Sequence, residues 1–218
     1  MTILKQDLFG TMSREQAADG SVFVLRDSSA ARWWLRGMAM HLARRERLAL
    51  TRLAPLAHSG QVPQLISTDG ARLCRSWIDG APMQQVRPTD PAYFRQAMRL
   101  LRNVHSHDVA HNDLAKEPNW LVTADGNPAL VDFQLALCAR RRGKLFRVLA
   151  HDDLRHLLKH KRTYVPALLS ARERRILATP SLISRLWMAS VKPVYHFVTR
   201  RILHWADREG AGDRKLLP

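Results

Sequence analysis

The residues best suited to chemistry lie in one short stretch. His111-Asn112-Asp113-Leu114-Ala115-Lys116-Glu117-Pro118-Asn119 runs into an apolar segment, Trp120 to Thr123, and a second segment, Ala129 to Phe133, carries Asp132. Asp125-Gly126 between the two is a hairpin turn signal, because Gly accepts positive φ at little steric cost. Pairing the two segments brings the loop end at Asn119 near Asp132, so that Asp113, Asn119 and Asp132 can converge on one small volume. Two carboxylates and an amide oxygen are hard ligands, suited to Mg²⁺ held partly by phosphates. A carboxylate outside the metal shell can accept a proton from an attacking hydroxyl. The competing reading makes Asp113 and Asp132 turn and strand-end residues of an unrelated α/β domain.

Such a constellation needs elements to position it. Thr2 to Phe9 reads as a first strand, Gly10 to Gly20 as a polar, turn-rich stretch, and Ser21 to Arg26 as a buried strand. Ser28 and Ser29 can cap a helix from about Ala30 to Leu53. Its apolar positions Leu35, Met38, Leu42, Ala49 and Leu53 leave a gap in the stripe that Glu46 fills. A carboxylate on a buried stripe needs a partner. Without one inside the fold, Glu46 stays half exposed beside Arg45 and Arg47. Pro63 to Ile66 and Arg72 to Ile78 are short strands about an Asp69-Gly70 turn. Pro91 to His107 is a helix with Phe94, Ala97, Met98, Leu101, Val104 and His105 on one face, His105 reading as a packed core histidine. Asp152-Asp153 can begin a helix carrying Leu154, Leu157 and Leu158, with Arg155, Lys159, Lys161 and Arg162 around them.

The chain has 218 residues, 46% of them hydrophobic, which suits one domain of two lobes with a real core. The formal net charge of +16 is unusual and predicts attraction to nucleic acid, acidic lipid or a phosphorylated glycan. No nucleic-acid-binding motif or set of stacking aromatics accompanies it, so a nucleic-acid partner is not expected. Cys74 and Cys138 have no metal-binding spacing and read as free thiols of a reducing compartment. The N-terminus lacks the apolar run of a signal peptide, and no stretch is long and apolar enough to span a bilayer. Residues 181–208 have a basic amphipathic pattern with Trp187 and Trp205, which lies on an anionic membrane or packs on its own domain.

The central stretch resembles the protein-kinase-like phosphotransferases, whose catalytic loop reads H-R-D-L-x-x-x-N and whose metal motif is D-F-G. The resemblance implies Asp113 as catalytic base and Asn119 and Asp132 as metal ligands, the 13-residue interval between the last two being that of the superfamily. Val104 to His111 is similar to the L-H-x-x-G-x-x-H approach, with Asp108 where Gly is usual, and His111 would support the loop. The Asp113-to-Asn119 interval of 6 is one longer than usual, Gln134 replaces the Gly of D-F-G, and Asn112 replaces Arg. The missing Arg suggests that no phosphorylated activation loop is read. No glycine-rich loop is present, Gly10 being the only glycine well placed for one. Arg26 stands where the phosphate-binding Lys would be, with Lys5 as the other candidate cation, and its interval of 20 to Glu46 is close to the superfamily's Lys-to-Glu interval, which implies Arg26 as the partner of Glu46. Trp77 to Pro82 resembles the hinge between lobes, where backbone groups of Trp77 and Ile78 would bind adenine. Lys116, Arg26 and Glu46 complete the implied nucleotide-binding set.

The implied fold is α+β: a two-lobed protein-kinase-like fold, with a small strand-rich N-lobe plus one helix over residues 1–78 and a mostly helical C-lobe over 79–218. The nearest branches are the small atypical RIO-like kinases and the bacterial lipopolysaccharide-core sugar kinases. The implied activity moves the γ-phosphate of ATP, with Mg²⁺, to an acceptor hydroxyl. A sugar of an anionic glycolipid (the lipopolysaccharide inner core) is the expected acceptor, because no A-P-E motif follows Asp132 and Arg140, Arg141, Arg142, Lys144 and Arg147 make that side basic. A RIO-like serine/threonine protein kinase and a pseudokinase-like module that binds a membrane or partner are the alternatives. The expected location is cytoplasmic, peripheral on the inner membrane face.

Overall fold

The computed structural model of the protein describes residues 1–179, so the amphipathic pattern at 181–208 lies outside the described residues. Strands β1 (Thr2–Asp7), β2 (Gly10–Gln16), β3 (Val22–Asp27), β4 (Leu65–Asp69) and β5 (Arg72–Ser76) form an antiparallel sheet in the order β1-β2-β3-β5-β4. The turn expected over Gly10 to Gly20 is instead mostly strand β2. Apart from Met12 its side chains are polar, and the strand exists because both its edges are paired, to β1 and to β3. Gly10 serves a close backbone approach: its φ is 131°, and a Cβ there would stand 2.2 Å from the Asp27 carbonyl oxygen.

Helix α1 (Arg36–Arg52) crosses between β3 and β4 and begins six residues later than its apolar pattern suggested. Asp27 is the reason. Its carboxylate accepts from the Ser29 N–H and closes a single 3-10 turn, Ser28–Ala30, so the serines are capped rather than capping. With the start shifted, Met38 is exposed, and the inward stripe is Ala39, Glu46, Ala49 and Leu50, followed by Leu53. A short helix, α2 (Ala54–Ala57), leads on to β4.

Strand β6 (Gly80–Pro82) and helix α3 (Met83–Val86) open the second lobe. Helix α4 (Pro91–Ser106) starts where Asp90 accepts from the Ala92 N–H, with Pro91 at the first helical position, where no backbone donor is lost. Strand β7 (Val109–Ala110) is followed by the hairpin β8 (Trp120–Thr123) and β9 (Pro128–Leu130), whose register pairs Trp120 with Leu130. The hairpin ends three residues earlier than the apolar run, because Asp132 takes a left-handed backbone (φ 64°) and Phe133–Leu135 forms a 3-10 turn. Strand β10 (Leu137–Cys138) pairs back on β7. Helix α5 (Lys144–Tyr164) starts eight residues before Asp152, placing Asp153 mid-helix and buried. Arg155, expected around the outside of that helix, is also buried beside Asp152. Helix α6 (Ala171–Ala178) starts on a reciprocal Ser170–Glu173 capping box. One core runs through both lobes, from Leu50, Leu53 and Leu73 to Met83, Phe94, Leu101, Trp120, Phe133 and Leu157.

Candidate active site

The loop from His111 to Asn119 is held from below by Asp153. Its carboxylate accepts the backbone N–H groups of His111 (2.7 Å) and Asn112 (2.8 Å), and His105 Nε2 lies 3.1 Å away. His105 is therefore a half-buried hydrogen-bond partner of Asp153 at the core's edge, not the packed core histidine its helical position suggested. His111 is fully buried, with its ring against Phe133 and its Nε2 donating to the Val131 carbonyl at 3.0 Å. That bond ties the loop to the strand end carrying Asp132. Asp108 and Asn112 both take left-handed backbone, φ 59° and 62°. Asp and Asn are the non-glycine residues that tolerate this region best, which explains how Asp108 can stand where Gly is usual.

Asp113 and Asn119 meet directly. The Asn119 amide donates to the Asp113 carbonyl (2.8 Å) and its carboxylate (3.2 Å), and Lys116 Nζ lies 3.4 Å from the same carboxylate. The extra loop residue is absorbed by a 3-10 turn, Glu117–Asn119, anchored on α5. There the buried Glu117 accepts from Tyr164 Oη at 2.7 Å, and His160 Nε2 donates to the Leu114 carbonyl at 2.8 Å. The Val131 N–H donates to the Asn119 carbonyl (3.1 Å), setting Asp132 beside Asn119.

Across the cleft, Arg26 on β3 reaches two carboxylates. Its Nε lies 3.2 Å from Glu46, and its Nη2 lies 3.7 Å from Asp132 Oδ1. Glu46 has no exposed surface, and its other oxygen is 3.2 Å from Arg75 Nε. Glu46 therefore holds Arg26 rather than touching a ligand. Arg75 escaped the sequence reading. Its one signal is parity: it stands two residues after Leu73 on an interior strand and so shares that residue's inward face. Gln134, standing where Gly is usual, donates to Asp132 Oδ1 at 2.6 Å. Lys5, Arg26, Asp132 and Gln134 line one cavity of about 30 Å³ under the β1–β2 hairpin, so both candidate cations open on the same spot.

The two cleft aspartates are shifted in opposite directions. Burial pushes the Asp113 carboxyl above the ordinary range, against the pull of Lys116 and His111. Burial would raise Asp132 as well, but Arg26, the Gln134 amide, Arg75 and Lys116 outweigh it and hold that carboxyl low. At the hinge, the Trp77 N–H is committed to the Val22 carbonyl (3.2 Å), and the Arg14 guanidinium sits 4.6 Å over the Trp77 ring. Ile78 packs with Leu121, Ala129 and Val131 as a small apolar patch. Behind the cleft, Arg45 donates to the Leu135 and Ala136 carbonyls and Arg52 to that of Ala139. The segment after Asp132 is thus fastened to α1 and β7 until it enters α5 at Lys144.

A strand-rich lobe whose one long helix supplies a buried glutamate to β3, joined to a helical lobe carrying the Asp113 loop and the Asp132 strand end, is the protein-kinase-like fold. Among solved structures it is similar to the Rio2 kinase from Chaetomium thermophilum. Against that kinase's ADP/Mg²⁺-phosphoaspartate complex the TM-score is 0.57 at 16% identity, covering 87% of this chain and 66% of the other. Against a second crystal structure of the same kinase the TM-score is 0.58 at 16% identity, covering 87% and 68%. The chain thus spans just under two thirds of the first structure's length. No family model and no curated protein matches it. Among the described residues, no helix is long and apolar enough to cross a membrane.

Proposed function

We propose that the protein is an ATP-dependent phosphotransferase acting on an acceptor hydroxyl. The carrying observation is the meeting of Asp113, Asn119 and Asp132 on one cleft, with the two aspartates pushed apart in proton affinity. Asp113 orients the acceptor hydroxyl and takes its proton, a role that its raised pKa suits. Lys116 and Arg26 face the phosphates. Asn119 Oδ1 and Asp132 Oδ2 are the oxygens left for Mg²⁺, since the Asn119 amide nitrogen is spent on Asp113 and Asp132 Oδ1 on Gln134. No group of three His, Cys, Asp or Glu residues that could hold a metal occurs among the described residues. The cation would therefore be completed by phosphate and water oxygens, as Mg²⁺ commonly is. Ile78 and its apolar neighbours suit the base, while the backbone N–H of Trp77 is already taken by the Val22 carbonyl. Glu46 and Arg75 set Arg26.

The likeness to Rio2 kinases favours a protein serine or threonine as the acceptor, in the manner of a small atypical kinase. One observation keeps a sugar hydroxyl of an anionic glycolipid as the second reading: the chain passes from β10 into α5 within a few residues, leaving little surface to seat a peptide, and Arg140, Arg141, Lys144 and Arg147 there are exposed. The test is Mg²⁺-dependent ATP consumption by the wild type beside Asp113→Ala and Asp132→Ala, offered protein substrates in one arm and lipopolysaccharide-core glycolipid in the other. Turnover lost in both variants supports the phosphotransferase, and the labelled arm names the acceptor. Absence of nucleotide binding would leave a pseudokinase-like module.

A further inference from the structure

We propose that the outward face of α1, with the turn leading into it, is a docking surface for an anionic phospholipid bilayer. Trp33 is 86% exposed and Trp34 47%, and Met38 and Leu48 on the same side are 55% and 47% exposed. Single exposed hydrophobics are ordinary, but two adjacent tryptophans turned to water, continuing into exposed Met and Leu along a helix, are not. Helical spacing lines Met38, His41, Arg44 and Leu48 along one side, and Trp34 precedes Met38 by four residues. Arg32, Arg36, Arg44 and Arg47 are exposed around them. The only acidic residue of α1 is Glu46, which is buried against Arg26 and Arg75. The face is therefore apolar and cationic over its full length, roughly 25 Å, with no anion on it.

That combination fits an anionic bilayer better than a protein partner. Indole rings settle at the headgroup level, and arginines are drawn to acidic headgroups. A protein hot spot seats its tryptophan in a desolvated pocket, whereas Trp33 projects from a turn. Beside the face, Arg44 and Arg47 open on a cavity of about 500 Å³, lined also by Met40, Leu73 and Arg72 (itself paired with Asp27 at 3.0 Å), with space for a lipid phosphate. The surface is also tied to the cleft. The Arg32 N–H donates to the Leu8 carbonyl at the tip of the β1–β2 hairpin (3.3 Å), and α1 carries the glutamate that sets Arg26. The inference does not depend on phosphate transfer and would stand if the cleft proved inactive.

The experiment is flotation of the full chain with vesicles of phosphatidylcholine alone or mixed equally with phosphatidylglycerol, at low and moderate salt. The expected result is binding only to the anionic vesicles, weakened roughly tenfold by Trp33→Ala with Trp34→Ala as the indoles are lost. Arg44→Gln and Arg47→Gln should each weaken it about fivefold at low salt. Brominated lipid should quench the wild-type fluorescence more than that of the double tryptophan variant. All four positions are exposed, so the melting curves should superpose. If the double variant lost stability, the arginine variants would decide the matter alone. No binding to anionic vesicles overturns the proposal, as does equal binding by every variant, which would move the contact to another basic surface. Lipid-free self-association that the tryptophan substitutions abolish also overturns it, in favour of an interface between copies.

Discussion

Burial raises both cleft carboxyls; around Asp113 it prevails over Lys116, His111 and the Asn119 amide, whereas around Asp132 two arginines, a glutamine amide and a share of the same lysine outweigh it. Both carboxylates face one cleft, and they differ in what surrounds them rather than in chemical type. A proton acceptor must have some affinity for a proton, and a metal ligand must stay ionised when the proton acceptor does not. Environments that separate two carboxyl groups in this way are how a site assigns two roles to one residue type. The separation is also a statement about stability. Ionised Asp132 favours the folded state above the ordinary carboxylate range, and that contribution is lost as pH falls through its lowered pKa. Asp113 is opposite: the folded state holds its proton more tightly, so its contribution is full below the ordinary range and is lost as pH rises through the raised pKa.

The largest expected effect comes from erasing either side. Asp132→Ala should reduce Mg²⁺-dependent turnover by roughly a thousandfold or more through loss of charge neutralisation. Asp113→Asn should cost about a hundred- to ten-thousandfold through loss of the base. The two should part in other measurements. Turnover should fall on the acid side at the raised Asp113 pKa, while Mn²⁺ binding persists to lower pH because Asp132 is still ionised. Coincident acid limits would break the assignment of roles. At neutral pH Asp113→Asn should raise the denaturation midpoint, because it removes a desolvated charge, whereas Asp132→Asn should lower it.

Glu46→Gln sharpens the same contrast through stability. It leaves Arg26 and Arg75 buried around a neutral amide, and breaking a buried ion pair of this kind costs about 3–5 kcal/mol. Urea denaturation would measure it, and a loss below about 1 kcal/mol would mean that the pair is solvated, as surface ion pairs are. Asp153→Asn should be next. It weakens the charged acceptor of the His111 and Asn112 N–H groups, and a hydrogen bond to a charged group contributes about 1.5–3 kcal/mol. Its turnover should fall with the acid limit unchanged, since Asp153 holds the loop and not the proton.

What could be read from the sequence follows from how local each signal is. The loop, the hairpin turn at Asp125-Gly126, the Asp69-Gly70 turn, helix α4 and the inward Glu46 all rest on spacing within one element, and the structure has them. Strand β2 was not legible, because its pairing comes from both neighbours and its polar side chains carry no apolar alternation. The starts of α1 and α5 were missed for different reasons: a local Asp27 contact diverts the first, and the buried Asp153 lies mid-helix in the second. Arg75 and Asp153 belong to the site through partners far along the chain, Asp153 meeting His111 across 42 residues. A buried charge satisfied at that distance leaves no periodic trace. The inward side of Glu46 is legible from its helix stripe, but Arg26 as its partner is legible only through the interval that resembles the kinase Lys-to-Glu spacing.

The smallest effect is the most discriminating, and it belongs to Gln134. Its amide donates to Asp132 Oδ1 at 2.6 Å, and Arg26 approaches the same oxygen. Gln134 therefore acts on Asp132 in two opposed ways: it stabilises the ionised carboxylate against protonation, and it occupies a lone pair that a cation could use. Gln134→Gly, which recreates D-F-G, separates them. At neutral pH no proton competes, so Mn²⁺ should bind about two- to threefold tighter once one neutral hydrogen bond, worth about 1 kcal/mol or less, no longer occupies the oxygen. At acid pH the order should invert, because Asp132 has lost a donor that held its pKa down and protonates earlier. The two binding curves, plotted against pH, should cross. Parallel curves would mean that Arg26 alone sets Asp132 and that the glutamine is a spacer; crossing curves would show that Gln134 keeps the Asp132 carboxylate ionised at the expense of its neutral-pH affinity for the cation.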